Sequence, residues 1–274
     1  MPAEVAIQPT DSFDPSSFDA VKWQLREHTA YITMSRPEAR NALNIAMRNE
    51  LMACFNEVQN NREIWLAVLC GEDPIFCAGA DLKEKLNLAR SDGDKERSRL
   101  SNELYLTMRR CYKPIIAAIN GGCIAQGAGL ALLSDIRIMS EKGFFWWPQV
   151  MRGISSMSGP LLLTEAVSPS FALRYLLTAD KITPEDALRV DLCTEVVPHE
   201  NLMDTVDKWA TKMLKNAPLS LQAIKEVAVR RRGMTIDEAF PIGREISERT
   251  MDSDDSIEGL KAFKEKRSPA WQGK

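Results

Sequence analysis

Two unbroken apolar stretches, Ile64–Cys70 (IWLAVLC) and Ile115–Ile119 (IIAAI), each run into a glycine-containing loop, and each loop leads into a helix-like segment. A strand that is apolar on both sides needs cover on both faces, which is the situation of a parallel strand inside an α/β sheet. Strand, loop and helix in repeated order predict βα units with right-handed crossovers, with functional groups in the loops beyond the strands' C-terminal ends. Further strands are expected at Ile136–Met139 and Cys193–Val197. Val21–Leu25 and Ala30–Met34 flank a polar Arg26-Glu27-His28-Thr29 turn and predict an opening hairpin.

From Asn44 onward Met47, Leu51, Phe55 and Val58 recur at steps of three and four, with Arg48, Asn49, Glu50 and Asn56 between them, predicting an amphipathic helix. Asp81 with Glu84 and Thr235 with Glu238 fit capping boxes, and Thr183-Pro184-Glu185-Asp186 combines an N-cap, a first-position proline and first-turn acids. After Val197 the pattern is helical: Leu202–Lys215, Leu219–Arg231 and Thr235–Thr250, separated by Pro218 and Gly233. The chain thus divides into a mobile arm (1–20), an α/β core (21–200) and a helical region (201–274). The charged stretch Glu84–Arg99, with Ser91-Asp92-Gly93-Asp94 inside it, is expected to be a mobile loop placed to act as a lid.

Composition removes several kinds of chemistry. Lys plus Arg total 35 against 38 Asp plus Glu, leaving no basic excess for a phosphate backbone, so no nucleic-acid partner is expected. The one basic run, Arg230-Arg231-Arg232 with Lys225 nearby, is the only hint of an RNA-binding surface and reads as a solvated helix end. The 6 cysteines form no CxxC pair and the 2 histidines, His28 and His199, stand in unrelated segments, so zinc and Ser-His-Asp or Cys-His sites lack their parts. Scattered cysteines fit reduced thiols in a cytoplasmic protein. No apolar run approaches the roughly 20 residues of a membrane span, and the acidic first twenty residues are the opposite of a basic targeting peptide.

The two loops are Phe76-Cys77-Ala78-Gly79-Ala80-Asp81 and Asn120-Gly121-Gly122-Cys123-Ile124-Ala125-Gln126-Gly127-Ala128-Gly129. They read in two ways. Small residues make tight strand-to-helix turns; they also let backbone N–H groups at a helix start approach a carbonyl and stabilise charge developing on its oxygen. No strand is followed by GxGxxG with a suitably spaced acid, so dinucleotide binding is not expected.

With these loops, Arg36-Pro37 through Asn41-Ala42-Leu43-Asn44, FCAGADL, KPIIAAINGGCIAQGAGLALLSD, LLTADKITPEDALRVDLCTEVVP and the terminal FKEKRSPAW occur in one order, and the chain from about Val21 to Trp271 resembles the crotonase (enoyl-CoA hydratase/isomerase) superfamily. The resemblance implies an α/β fold, a spiral of ββα units with a helical C-terminal trimerisation region, assembled as a homo-trimer or hexamer. It implies an acyl-CoA thioester as ligand, CoA being part of the substrate, with no other cofactor and no metal. Ala78 N–H and Gln126 N–H would be the two oxyanion donors, Gln126 standing where the family usually has glycine. Arg40, Ala42, Ala78, Gly79, Ala80, Asp81 and Leu82 would line the CoA path, Gly127 and Trp147 would adjoin the substrate, and Phe263 and Lys266 would reach the nucleotide of a neighbouring subunit.

The sequence departs from the hydratase pattern where that pattern has two glutamates. The first position is Gly129 and the second, in Trp147-Pro148-Gln149, is an amide; the aspartate of dienoyl-CoA isomerases aligns near Met157. Neither Gly129 nor Gln149 exchanges a proton near neutral pH, although Gln149 can orient a reactant. The implied reaction is therefore enolate stabilisation rather than ordinary hydration, with decarboxylation, hydrolysis and acyl-CoA binding without turnover as alternatives. Gln149, Arg152, Ser155, Ser156 and Ser158 are candidates to contact a polar acyl substituent, and Phe144, Phe145, Trp146, Trp147, Met151 and Met157 to form an acyl pocket or core. Cys77 and Cys123 read as small apolar fillers, Glu84 as a helix cap and Glu103 as an exposed helix face.

Overall fold

The computed structural model describes residues 13–89 and 91–274. β1 (Val21–Arg26) and β2 (Thr29–Met34) form the expected hairpin, with Val21 opposite Met34 and Arg26 opposite Thr29. The chain continues through α1 (Ile45–Asn60), β3 (Leu66–Gly71), α2 (Leu82–Asn87), α3 (Asp92–Arg110), β4 (Ile115–Ile119), β5 (Gly122–Ile124), α4 (Gln126–Leu133), β6 (Ile136–Ser140) and β7 (Phe144–Trp146). A π-helical turn at Gly159–Leu163 runs into α5 (Thr164–Ala166), and α6 (Pro169–Thr178), α7 (Pro184–Arg189) and β8 (Glu195–Val197) complete the α/β part.

One sheet takes the order β1-β2-β3-β4-β6-β8 and is parallel apart from the opening hairpin; β5 and β7 make a second, two-stranded parallel sheet. The apolar runs are unbroken because both sheet faces are covered. Ala67 and Leu69 of β3 and Ile115, Ala117 and Ile119 of β4 pack in a cluster with α1, α3 and α4, while Leu66, Val68, Ile116 and Ala118 pack on Leu202, Val206 and Ala210 of α8 (Leu202–Leu214). Alternation of side-chain direction along each strand makes this division. After α8 come α9 (Pro218–Arg230), α10 (Ile236–Met251) and α11 (Asp254–Glu265).

Two expectations are corrected. Residues 1–12 of the arm lie outside the described residues, but Phe13 stacks edge-on against Trp23 at 4.8 Å, and the Asp19 and Ala20 amides donate to Glu50 at 3.1 and 2.9 Å, so 13–20 is docked. The expected lid is largely helix: Asp92 and Asp94 open the 19-residue α3, and Arg97 pairs with Asp94 and Arg99 with Glu96 at helical spacing. Acids in the first turn and these i,i+3 pairs outweigh the single Gly93. The Thr235–Glu238 box closes at both ends, whereas Asp81 caps α2 alone, because Glu84 turns to accept the Ile45 amide at 3.0 Å.

Candidate active site

The two glycine loops leave neighbouring parallel strands, β3 and β4, and are zipped together. Cys77 N–H donates to Gly122 C=O at 3.1 Å and Ile124 N–H to Cys77 C=O at 2.9 Å. Gly79 sits at φ +85°, and a Cβ there would lie 2.7 Å from Ile124 O and 3.2 Å from Gln126 N, so glycine is required by both conformation and space. A Cβ at Gly127 would lie 2.5 Å from Cys77 O. Gly127 is therefore a loop-to-loop contact, and it is not among the residues that line the cavity.

This closeness presents the start of α4 to a cavity of about 590 Å³, within the range of small-molecule sites. Gln126 is the first residue of α4, so its N–H has no intrahelical acceptor. The peptide that carries this N–H is held firmly. Ala125, at φ 52° and ψ −110°, occupies a conformation that side-chain-bearing residues avoid; its N–H donates to Trp146 O at 2.9 Å, and its C=O accepts from Ser158 Oγ at 3.0 Å. Bonding at the carbonyl also polarises the amide on its other side.

Ala78 lines the cavity, and its N–H donates to Arg40 C=O at 3.0 Å. Arg40 holds the acceptor there in a left-handed conformation (φ 54°), and Ala78 N–H reaches a ligand only when Arg40 turns away.

The Gln126 side chain has a partner that the sequence pattern concealed. Its Oε1 accepts from Nη2 of Arg48 at 3.0 Å, and Arg48, fully buried, also donates through Nε to Ser101 Oγ at 3.1 Å. Arg48 Nη1 stands 3.6 Å from Glu84 Oε2, and neither atom has a hydrogen bond among the described residues. Burial lowers the Arg48 pKa to about 10, with Glu84 opposing, so the cation persists at neutral pH.

At the two departures from the hydratase pattern, other groups stand in. An ideal Cβ on Gly129 would lie 2.5 Å from Tyr105 Oη and 2.9 Å from Ser158 Cβ, so the phenol of Tyr105 occupies the space a side chain would need. Tyr105 Oη donates to Gln126 C=O at 3.1 Å, and burial pushes its pKa up, which keeps it a protonated donor. Gln149 lies on the 3₁₀ turn Pro148–Arg152, lines the cavity, and its Oε1 is buried with no partner among the described residues.

Of the residues expected to line the CoA path, Arg40, Ala78, Ala80 and Leu82 line the cavity; Tyr105, Gln126, Trp146, Gln149, Arg152 and Ser155 to Ser158 are among its other lining residues. No Asp, Glu, His or Cys is among the described lining residues. Cys77 and Cys123 are fully buried, and burial pushes Cys77 up to about 12 and Cys123 well above its usual value, as fits fillers. Trp147 is corrected: it is core, its ring stacked on Phe145 at 6.2 Å and its indole N–H donating to Ser158 Oγ at 3.3 Å, while Trp146 faces the cavity. Trp146 is the last residue of β7 and Trp147 the first beyond it, leading into the 3₁₀ turn Pro148–Arg152, so the neighbouring tryptophans face opposite ways.

Several sites named from the sequence support the cavity without lining it. Asp81 caps α2 and pairs with Arg36 at 3.1 Å; burial raises its pKa, but the Glu84 and Lys83 amides and Arg36 outweigh burial and hold it below the usual value, and the Ala42 carbonyl accepts from Arg36 Nη1 at 2.7 Å. Phe263, 86% exposed, and Lys266, the left-handed residue ending α11, do not line this chain's cavity. In the basic run, Arg230 and Arg232 pair with Glu226 and Glu165 at 2.9 and 3.2 Å. Tyr105 and Arg48 were not found from the sequence; the available signals were Tyr105 four residues after buried Ser101, and Arg48 three and seven residues before buried Leu51 and Phe55.

Residues 25–274 match the enoyl-CoA hydratase/isomerase family. The (E)-benzylidenesuccinyl-CoA hydratase of Thauera aromatica is 32% identical over 92% of this chain and 99% of its own length. The crystal structure of an enoyl-CoA hydratase/isomerase from Mycobacterium paratuberculosis superposes with a TM-score of 0.84 at 31% identity, covering 94% of this chain and all of that one. An enoyl-CoA hydratase from Bacillus anthracis superposes with a TM-score of 0.89 at 25% identity, covering 93% of this chain and all of that one. The chain has the crotonase fold and belongs to the enoyl-CoA hydratase/isomerase family.

Proposed function

We propose that the protein binds an acyl-CoA thioester in the cavity between its glycine loops and stabilises the thioester enolate, with the free Gln126 N–H as first oxyanion donor. The observation that carries this reading is the peptide before Gln126, strained at Ala125, tied down by Ser158, and aimed from a helix start into the cavity. Fixed donors of this kind stabilise charge without reorganising during reaction. Ala78 N–H becomes the second donor once the thioester oxygen displaces the Arg40 carbonyl. Arg48, a buried cation behind Gln126, adds favourable potential for the developing anion. No cofactor besides the CoA of the substrate is needed.

The cavity lining supports chemistry without a side-chain carboxylate. Hydration requires one group to take a proton from water and one to protonate the α-carbon, and Gly129 and Gln149 supply neither. Loss of carbon dioxide from a carboxylate on the α-carbon, or conjugated to it through a double bond, leaves the broken C–C bonding pair in the thioester as its enolate or dienolate and asks only for the oxyanion donors and a later proton. Assembly as a homo-trimer or hexamer is supported by the apolar side chains exposed on the C-terminal helices, among them Ile224, Ile236, Phe240, Leu260 and Phe263.

The test is mass spectrometry of a panel of acyl-CoA thioesters incubated with purified protein. Loss of carbon dioxide from a carboxylated acyl-CoA supports the proposal in its carboxylate-free form. Gain of one water by a 2-enoyl-CoA at an enzymatic rate would require an acid–base pair this lining does not contain and would refute that form. Tight binding without turnover across the panel would reduce the protein to an acyl-CoA binder.

A further inference from the structure

We infer that the acyl group this cavity takes carries a carboxylate, held by the 3₁₀ turn Pro148–Arg152. This rests on the acyl-CoA reading and narrows it. Four cations, Arg40, Lys85, Arg97 and Arg152, line the cavity, and no described lining residue is an acid. They are not equivalent. Arg40 and Lys85 line the cavity beside Ala78, Ala80 and Leu82 of the first loop and the helix after it, and the acyl-CoA reading assigns their charge to the phosphates of CoA. Arg97 is already engaged, its Nε and Nη2 both on Asp94 Oδ1 at 3.1 and 2.7 Å. Arg152 has no acidic partner among the described residues.

Arg152 and Gln149 stand three residues apart on a 3₁₀ turn, where side chains at that spacing eclipse one another along one edge. Both face the cavity, and Gln149 brings a buried amide oxygen with no partner among the described residues. Amide oxygen and nitrogen exchange places by a flip, so the same side chain offers an N–H to a carboxylate beside the guanidinium. Ser155 and Ser156 follow on the same wall, adding hydroxyl donors. A hydrocarbon chain would bury these groups without a partner, whereas a carboxylate answers them with charge-assisted hydrogen bonds.

The experiment is isothermal titration of the full-length protein with length-matched saturated pairs: succinyl-CoA against butyryl-CoA, glutaryl-CoA against pentanoyl-CoA, and adipyl-CoA against hexanoyl-CoA. At least one dicarboxylic member is expected to bind roughly ten- to a hundred-fold tighter than its partner, the usual worth of a charge-assisted hydrogen bond. Arg152→Gln is expected to bring that ratio close to one, and Arg152→Lys to retain part of it. Equal binding within every pair overturns the inference and leaves the acyl-CoA reading standing. A preference that survives Arg152→Gln overturns the assignment to this turn. If no thioester binds, the acyl-CoA reading itself fails.

Discussion

Replacing Gly129 with alanine tests whether the missing first carboxylate is an empty place or a filled one. Gly129 lies inside α4, where alanine ordinarily gains about 1 kcal/mol over glycine. Here the new Cβ would stand 2.5 Å from Tyr105 Oη, 2.8 Å from Tyr105 Cζ and 2.9 Å from Ser158 Cβ. The phenol moves aside only by giving up its 3.1 Å hydrogen bond to Gln126 C=O, and overpacking of this kind costs about 1–3 kcal/mol. Gly129→Ala is therefore expected to destabilise the protein by about 1 kcal/mol. In a Tyr105→Ala background, itself destabilised by about 3 kcal/mol, most of the obstruction is gone and the same substitution is expected to stabilise by up to about 1 kcal/mol. The coupling between the two sites is then about 2 kcal/mol, readable in urea unfolding of the four proteins at one concentration. An effect of Gly129→Ala with the same sign and size in both backgrounds would refute the reasoning. Gly129→Glu inherits the same collision, so it is expected to fail to create a hydratase while Tyr105 is present.

Ser158→Ala removes the donor to Ala125 C=O and loosens the strained peptide behind Gln126 N–H; we expect kcat on the substrate found by mass spectrometry to fall roughly 3- to 30-fold with KM nearly unchanged. A rise in KM at constant kcat would instead make Ser158 a binding residue. All six cysteines are buried, and Cys77 is pushed up to about 12, so the thiols stay protonated at pH 8. The folded protein should resist Ellman's reagent until it is denatured and should keep full activity after iodoacetamide; activity loss matched to modification of one cysteine would give that thiol a function it lacks in this account.

Backbone chemistry was legible in the sequence wherever local residues determine it. The runs at Ile64 and Ile115 became β3 and β4, the periodic stretch from Asn44 became α1, and the two glycine loops follow those strands and lead towards helices as expected. Features set by long-range partners were not legible. Arg48 falls among the polar residues of α1 by type, yet Gln126 and Ser101, 78 and 53 residues away, make it a buried position. Trp146 and Trp147 are alike in composition, and only where β7 ends and the 3₁₀ turn begins decides which faces the cavity. The segment after Glu84 reads as loop by charge density, but its charges pair along α3.

The same long-range contacts bear on what the site can catalyse. Tyr105, Ser158 and Arg48 each bond the Ala125–Gln126 segment, so the groups around the oxyanion donor serve to fix it. None has a carboxylate's ability to exchange a proton at neutral pH: Tyr105 is held protonated by burial, Arg48 stays charged and Ser158 is an ordinary hydroxyl. General acid–base groups contribute roughly 10²- to 10⁴-fold each, so a reaction needing two of them would run here at a large disadvantage. An acyl group that releases its own electron pair to the thioester escapes that disadvantage, because the step it leaves to the protein is the one this backbone is built to perform.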